Sequence, residues 1–155
     1  MVMSILELKI PPVAVFLAFA AGMWLIPSGI PMADFFVSVR MTISLILSVA
    51  GGAFAVPAIF IFLRAHTTVD PIRPEAASKI VAYGVYRFSR NPMYVGLLFV
   101  LAAWAVWLCK PPAFLFLPAF VMYMNRFQIL PEERALSAKF GSEFNAYMMS
   151  VRRWL

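Results

Sequence analysis

Four apolar runs, each near the length that crosses a bilayer, constrain this chain more than any other feature. They fall at about residues 11–30, 41–63, 93–109 and 111–127. A spanning helix needs about 20 mainly apolar residues, because without water each backbone N–H and C=O must be bonded inside the helix. The last two runs are short and meet at Lys110-Pro111-Pro112, so they read as a tight hairpin. Composition agrees: 63% of the 155 residues are hydrophobic and 13% charged, against about a quarter charged in an ordinary soluble domain. The expectation is an all-α, polytopic, integral membrane protein with about four transmembrane helices. The first run follows Glu7 and Lys9 and contains Pro11-Pro12 instead of following a basic leader, so it reads as a retained span.

A net charge of +6 invites a nucleic-acid partner, but the placement of the basic residues argues for membrane orientation instead. With four spans, one side holds Lys9, Arg64, Arg73, Lys79, Arg87, Arg90, Arg126, Arg134, Lys139, Arg152 and Arg153, and the other only Arg40 and Lys110. Such a bias puts both termini and the middle loop in the cytoplasm, with anionic membrane lipids as secondary partners. No nucleic-acid partner is expected. Cys109 is the only cysteine and His66 the only histidine, so neither a disulfide nor a metal site is assigned.

No internal repeat or low-complexity linker divides the chain, which reads as one domain over residues 1–155. Residues 1–63 supply two N-terminal spans; residues 64–155 supply a loop, the helical hairpin and a C-terminal helix. Asp70-Pro71 and Arg73-Pro74 stiffen the loop. Beyond the fourth span, Pro131-Glu132-Glu133 opens a helical pattern with Leu136, Phe140, Phe144, Tyr147 and Val151 on one stripe. This predicts a single amphipathic interfacial helix, anchored by Arg152-Arg153-Trp154.

Between the second and third runs lies YGVYRFSRNPMYVG, residues 83–96, with a density of polar and rigid groups unusual at a membrane boundary. Asn91 suits a helix N-cap and Pro92 the first helical position, so the third span begins here, its positive dipole end at the cytoplasmic face. Such a start attracts a carboxylate or phosphate, and Arg87 and Arg90 add to the field. Tyr86 and Tyr94 offer flat apolar contact and a hydroxyl; Gly84 and Gly96 allow close backbone approach. The plain alternative is that arginine and tyrosine only mark the interface. Against it stand Glu132 and Glu133, two of only seven acids, which an antiparallel hairpin brings to the same face as Arg90 and Asn91. Their own plain reading is helix-dipole chemistry in a first turn.

Together, Gly84-Val85-Tyr86-Arg87, Ser89-Arg90-Asn91-Pro92-Met93-Tyr94-Val95-Gly96, Glu132-Glu133-Arg134, Phe140-Gly141 and Val151-Arg152-Arg153-Trp154 resemble the isoprenylcysteine carboxyl methyltransferase and phospholipid methyltransferase superfamily. The resemblance covers roughly residues 67–154. It implies S-adenosylmethionine as cofactor, leaving as S-adenosylhomocysteine, bound between a surface loop and the ends of the last two spans. It places Tyr86, Arg90, Asn91, Tyr94 and the Glu132-Glu133 pair at the cofactor, leaving open which of the two glutamates, Glu132 or Glu133, makes the contact, and puts Arg126 with Glu133 nearest the chemistry, Arg126 towards the acceptor. Many members have histidine at the position of Asn91, so a hydrogen-bonding role carries over more readily than a proton-transfer one. The implied acceptor is a lipophilic small molecule or lipidated group, leaning to an isoprenylcysteine-type carboxylate; a phospholipid amine and a small thiol stay open. Methyl transfer needs position and desolvation, not a metal or covalent nucleophile. A transporter is disfavoured because the apolar cores hold no Asp, Glu, Lys or His. A sterol-type reductase is disfavoured by the short chain, and a non-catalytic membrane scaffold remains the competing class.

Overall fold

The computed structural model describes residues 7–27, 37–64 and 77–155. His66, Asp70-Pro71 and Arg73-Pro74 lie outside the described residues. Those described form α1 Pro12–Leu25, α2 Val37–Arg64, a 3-10 turn Gly84–Arg87, α3 Pro92–Leu108, a 3-10 turn Pro111–Leu115, α4 Phe116–Met124, a π-helical segment Asn125–Ile129, α5 Leu130–Phe140 and α6 Ser142–Ser150. There is no strand among them. The all-α expectation holds.

Val37–Arg64 and Pro111–Phe140 are long and apolar enough to cross a membrane, with 28 and 30 residues. α1 and α3 are apolar but shorter, at 14 and 17 residues. At 1.5 Å per residue they rise about 21 and 26 Å, short of a hydrocarbon core of about 30 Å. Leu45, Ile46, Val49 and Phe60 of α2 face outward, a surface suited to lipid and costly in water.

Glycine sets the closest helix packing. A Cβ on Gly96 of α3 would lie 2.7 Å from Ala55 Cβ and 2.8 Å from Gly51 O of α2, so only glycine lets the two backbones meet. On the other side of α3 a core of Met23, Leu101, Phe120, Met124 and Ile129 is fully buried, with Phe19 edge-on to Phe120 at 5.5 Å. The hairpin turn falls where Lys110-Pro111-Pro112 predicts. Cys109 takes the left-handed conformation at φ 52°, and Lys110 Nζ donates to Trp24 O and Ile26 O at 2.7 and 2.6 Å, capping the end of α1.

Pro131 does not open a separate helix, contrary to the sequence reading. Helical geometry runs unbroken from Pro111 to Phe140, because the π-helical segment absorbs the proline. In a regular helix Pro131 lacks the N–H that would bond the carbonyl of Phe127, and its ring crowds that carbonyl. Here the wider turn makes room, and Leu8 N–H bonds Phe127 O at 3.0 Å instead.

The single C-terminal amphipathic helix is also corrected. Gly141, at φ 57°, ends α5 and starts α6 afresh, a backbone state that glycine enters cheaply. The expected stripe survives the break in part: Leu136, Phe144 and Tyr147 converge on one pocket.

Candidate active site

The pocket lies where the 3-10 turn, the start of α3, α5 and α6 meet. Gly84 enters the turn at φ 63°, a backbone state that glycine takes without strain, and its missing Cβ leaves room for Ile61 Cδ1 of α2, 2.5 Å from where that Cβ would lie. This seats Tyr86 edge-on to Phe62 at 5.1 Å and buries it, at 4% exposed. The Tyr86 hydroxyl is buried without a hydrogen-bond partner among the described residues, although Tyr147 Oη donates to the Tyr86 carbonyl at 2.8 Å. Burial pushes both phenols above their ordinary value, that of Tyr147 to about 12, so both stay neutral donors.

Tyr86, Arg90, Asn91, Tyr94, Glu132 and Glu133 all line this pocket, with Phe62, Phe144 and Tyr147. Their bonding divides them. Arg90 Nη1 donates to Met148 O and Val151 O at 2.6 and 2.8 Å, and Nη2 to Glu133 Oε1 at 2.7 Å. Asn91 occupies the N-cap position, but its side chain does not cap α3; Nδ2 donates to Arg153 O at 3.0 Å. The motif's polar groups therefore hold the chain's C-terminal tail.

The two acids differ as sharply. Glu133 is gripped by Arg90 and by Arg153, whose Nε and Nη2 donate at 3.1 and 2.6 Å. Glu132 receives the Tyr94 hydroxyl and, at 2.9 Å, Gln128 Nε2, with no cation paired to it among the described residues. A carboxylate without a counter-cation, walled by aromatic faces and beside an unpaired hydroxyl, has the donor set for a cationic ligand with further polar groups.

Arg126 does not line the pocket. Its Nη1 donates to Glu7 Oε1 at 2.9 Å, and Arg134 Nη2 donates to Glu7 Oε2 at 2.6 Å. Glu7 is buried at 5% exposed. Burial opposes its ionisation, but the hydrogen bonds and charges of the two arginines outweigh this and hold its carboxyl below the usual range. Sequence reasoning missed Gln128, Glu7, Arg153 and the pocket-facing role of Phe144 and Tyr147. Arg153 read as an interface anchor; Phe144 and Tyr147 were visible only as an apolar stripe.

A phospholipid methyltransferase family model matches residues 39–143, more than half of the chain. The chain belongs to this methyltransferase family. The match includes the 3-10 turn, both acids and α5, so most of the pocket's wall lies within the matched segment, while Phe144 and Tyr147 lie just beyond it. A probable protein-S-isoprenylcysteine O-methyltransferase of Oryza sativa subsp. indica is 32% identical over 116 residues, covering 73% of this chain and 59% of the relative. Protein-S-isoprenylcysteine O-methyltransferase A of Arabidopsis thaliana is 34% identical over 110 residues, covering 69% and 54%. The chain thus spans little more than half the length of these plant relatives. An uncharacterised protein of Haemophilus influenzae is 46% identical over 63 residues, 41% of this chain and all of that protein. No solved structure matches. The family and the outward apolar helices together make this a membrane protein.

Proposed function

We propose that this protein transfers a methyl group from S-adenosylmethionine to a lipophilic acceptor at the membrane interface. The observation that carries the reading is the contrast between Glu133, paired to two arginines, and Glu132, which has no cation among the described residues and shares the pocket with a Tyr86 hydroxyl that has no partner among them. When bound, the cofactor supplies an electrophilic methyl on a sulfonium. Glu132 and the faces of Tyr86, Phe144 and Tyr147 would hold its cationic part, and the Tyr86 hydroxyl would bond its neutral polar groups. The protein's share of the rate is position and exclusion of water.

The acceptor we favour is an isoprenylcysteine-type carboxylate, supported by the names of the plant relatives. Arg126 would receive it by exchanging Glu7 for the incoming carboxylate. A phospholipid amine is the alternative, favoured by the family description and by the uncompensated Glu132. We further propose a single domain over residues 1–155 with several spans, the shorter α1 and α3 included, and both termini in the cytoplasm, on the charge bias. Labelling of terminal tags from opposite faces would remove that topology.

The deciding experiment offers purified protein in lipid a radiolabelled methyl donor and three acceptors in parallel: a prenylcysteine acid, phosphatidylethanolamine and a lipophilic thiol. Transfer to the acid supports the favoured reading, and transfer to the amine alone replaces it. Donor binding without transfer to any leaves the scaffold.

A further inference from the structure

Two adjacent acids in one helical turn present a problem to any site that must bind one cation in one place. Both would repel each other and compete for the ligand. In this pocket Glu133 is taken out of that competition through both of its oxygens. Arg90 Nη2 reaches Oε1, and Arg153 spans the carboxylate with Nε on Oε1 and Nη2 on Oε2, the paired geometry in which a guanidinium exceeds a point charge.

Arg153 is itself aimed from both sides. Its carbonyl accepts from Ser89 Oγ at 3.2 Å and Asn91 Nδ2 at 3.0 Å, and the next residue, Trp154, donates Nε1 to Asn125 Oδ1 at 3.0 Å. The neighbouring Arg152 carbonyl takes the Arg90 N–H at 2.9 Å. These contacts fix the guanidinium over Glu133 from a tail that lies beyond residues 39–143, the segment the family model matches.

We propose that Arg153 is a positioning residue of the methyl-donor pocket: by holding Glu133 it leaves Glu132 as the one carboxylate offered to the cofactor's cation. This rests on the functional reading above. Arg153 is also the partner that can be removed with least harm to the fold. Its side chain is 34% exposed, whereas that of Arg90 is 12% exposed and also caps the end of α6.

The test uses full-length protein in lipid nanodiscs, with donor affinity by calorimetry and acceptor KM by methyl transfer. Arg153→Gln is expected to weaken donor binding about tenfold, the scale for one charge-assisted pair, with the acceptor KM unchanged. Arg153→Lys, which keeps the charge and loses the fork, is expected to recover part of the loss. Adding Arg153→Gln to Glu133→Gln is expected to cost little more, since the first substitution acts through the second residue. Donor affinity equal to wild type in folded Arg153→Gln overturns the inference. So do losses that simply multiply in the double variant, and equal changes in donor and acceptor constants. Wild-type protein that takes up no donor overturns instead the reading of the pocket, so the two failures are distinct.

Discussion

Leu8 donates its backbone N–H to Phe127 O at 3.0 Å, the carbonyl to which Pro131, having no N–H, cannot donate. One residue earlier, Glu7 is clamped between Arg126 and Arg134. The N-terminal segment is thus fastened to the π-helical segment by a backbone bond and an ion triad, across almost the whole chain.

The Glu7 clamp gives a signed pH dependence. Its folded carboxyl sits below the ordinary value of 4.5, so the unfolded chain binds the proton first. The clamp's contribution is therefore complete above that value and is lost as pH falls through the folded one. Glu7→Gln is expected to lower the melting temperature at pH 7, and the gap to wild type to close below about pH 4.5. A gap that stays constant into acid assigns the loss to packing.

Glu132→Gln should weaken donor binding by about 1 to 3 kcal/mol, the scale for a hydrogen-bonded charge, while leaving thermal stability near wild type, because no cation is orphaned. Glu133→Gln should instead lower stability, since it strands Arg90 and Arg153, and should change donor affinity less than Glu132→Gln does. Calorimetry and thermal unfolding on the same preparations check both; the reverse pattern would exchange the roles of the two acids.

Gly96→Val should destabilise by about 1 to 3 kcal/mol through overpacking against Ala55 and Gly51. Gly52→Ala, whose Cβ would meet nothing within 4 Å, is the control and should be neutral or stabilising. Denaturant unfolding in mild detergent reads both, and equal effects would remove glycine contact as the reason α2 and α3 pack so closely.

Arg126→Ala should leave donor affinity nearly intact, because the side chain lies off the pocket wall, and should lower turnover on a carboxylate acceptor. Arg126→Lys should rescue only in part. Normal kinetics in Arg126→Ala would leave this arginine as the partner of Glu7 alone and withdraw its support for a carboxylate acceptor.

Local pattern was enough to read the helical membrane class, the turn at Lys110, the start of α3 at Pro92, the need for glycine at positions 84 and 96, and the family. Each of these is decided by neighbours in sequence: apolar length, a proline's fixed φ, a missing Cβ. What Arg90, Arg126 and Pro131 do was decided only in three dimensions. Arg90 has the look of a free charge at a helix start, yet its guanidinium is spent on carbonyls 58 and 61 residues away. Arg126 meets a carboxylate 119 residues away, and the proline that should break a helix is accommodated by a π turn and a donor from the other end of the chain. A sequence shows which groups need a partner; hydrogen bonds, charge-assisted ones included, form only at about 3 Å, so which partner each one finds is settled only when distant segments are packed together.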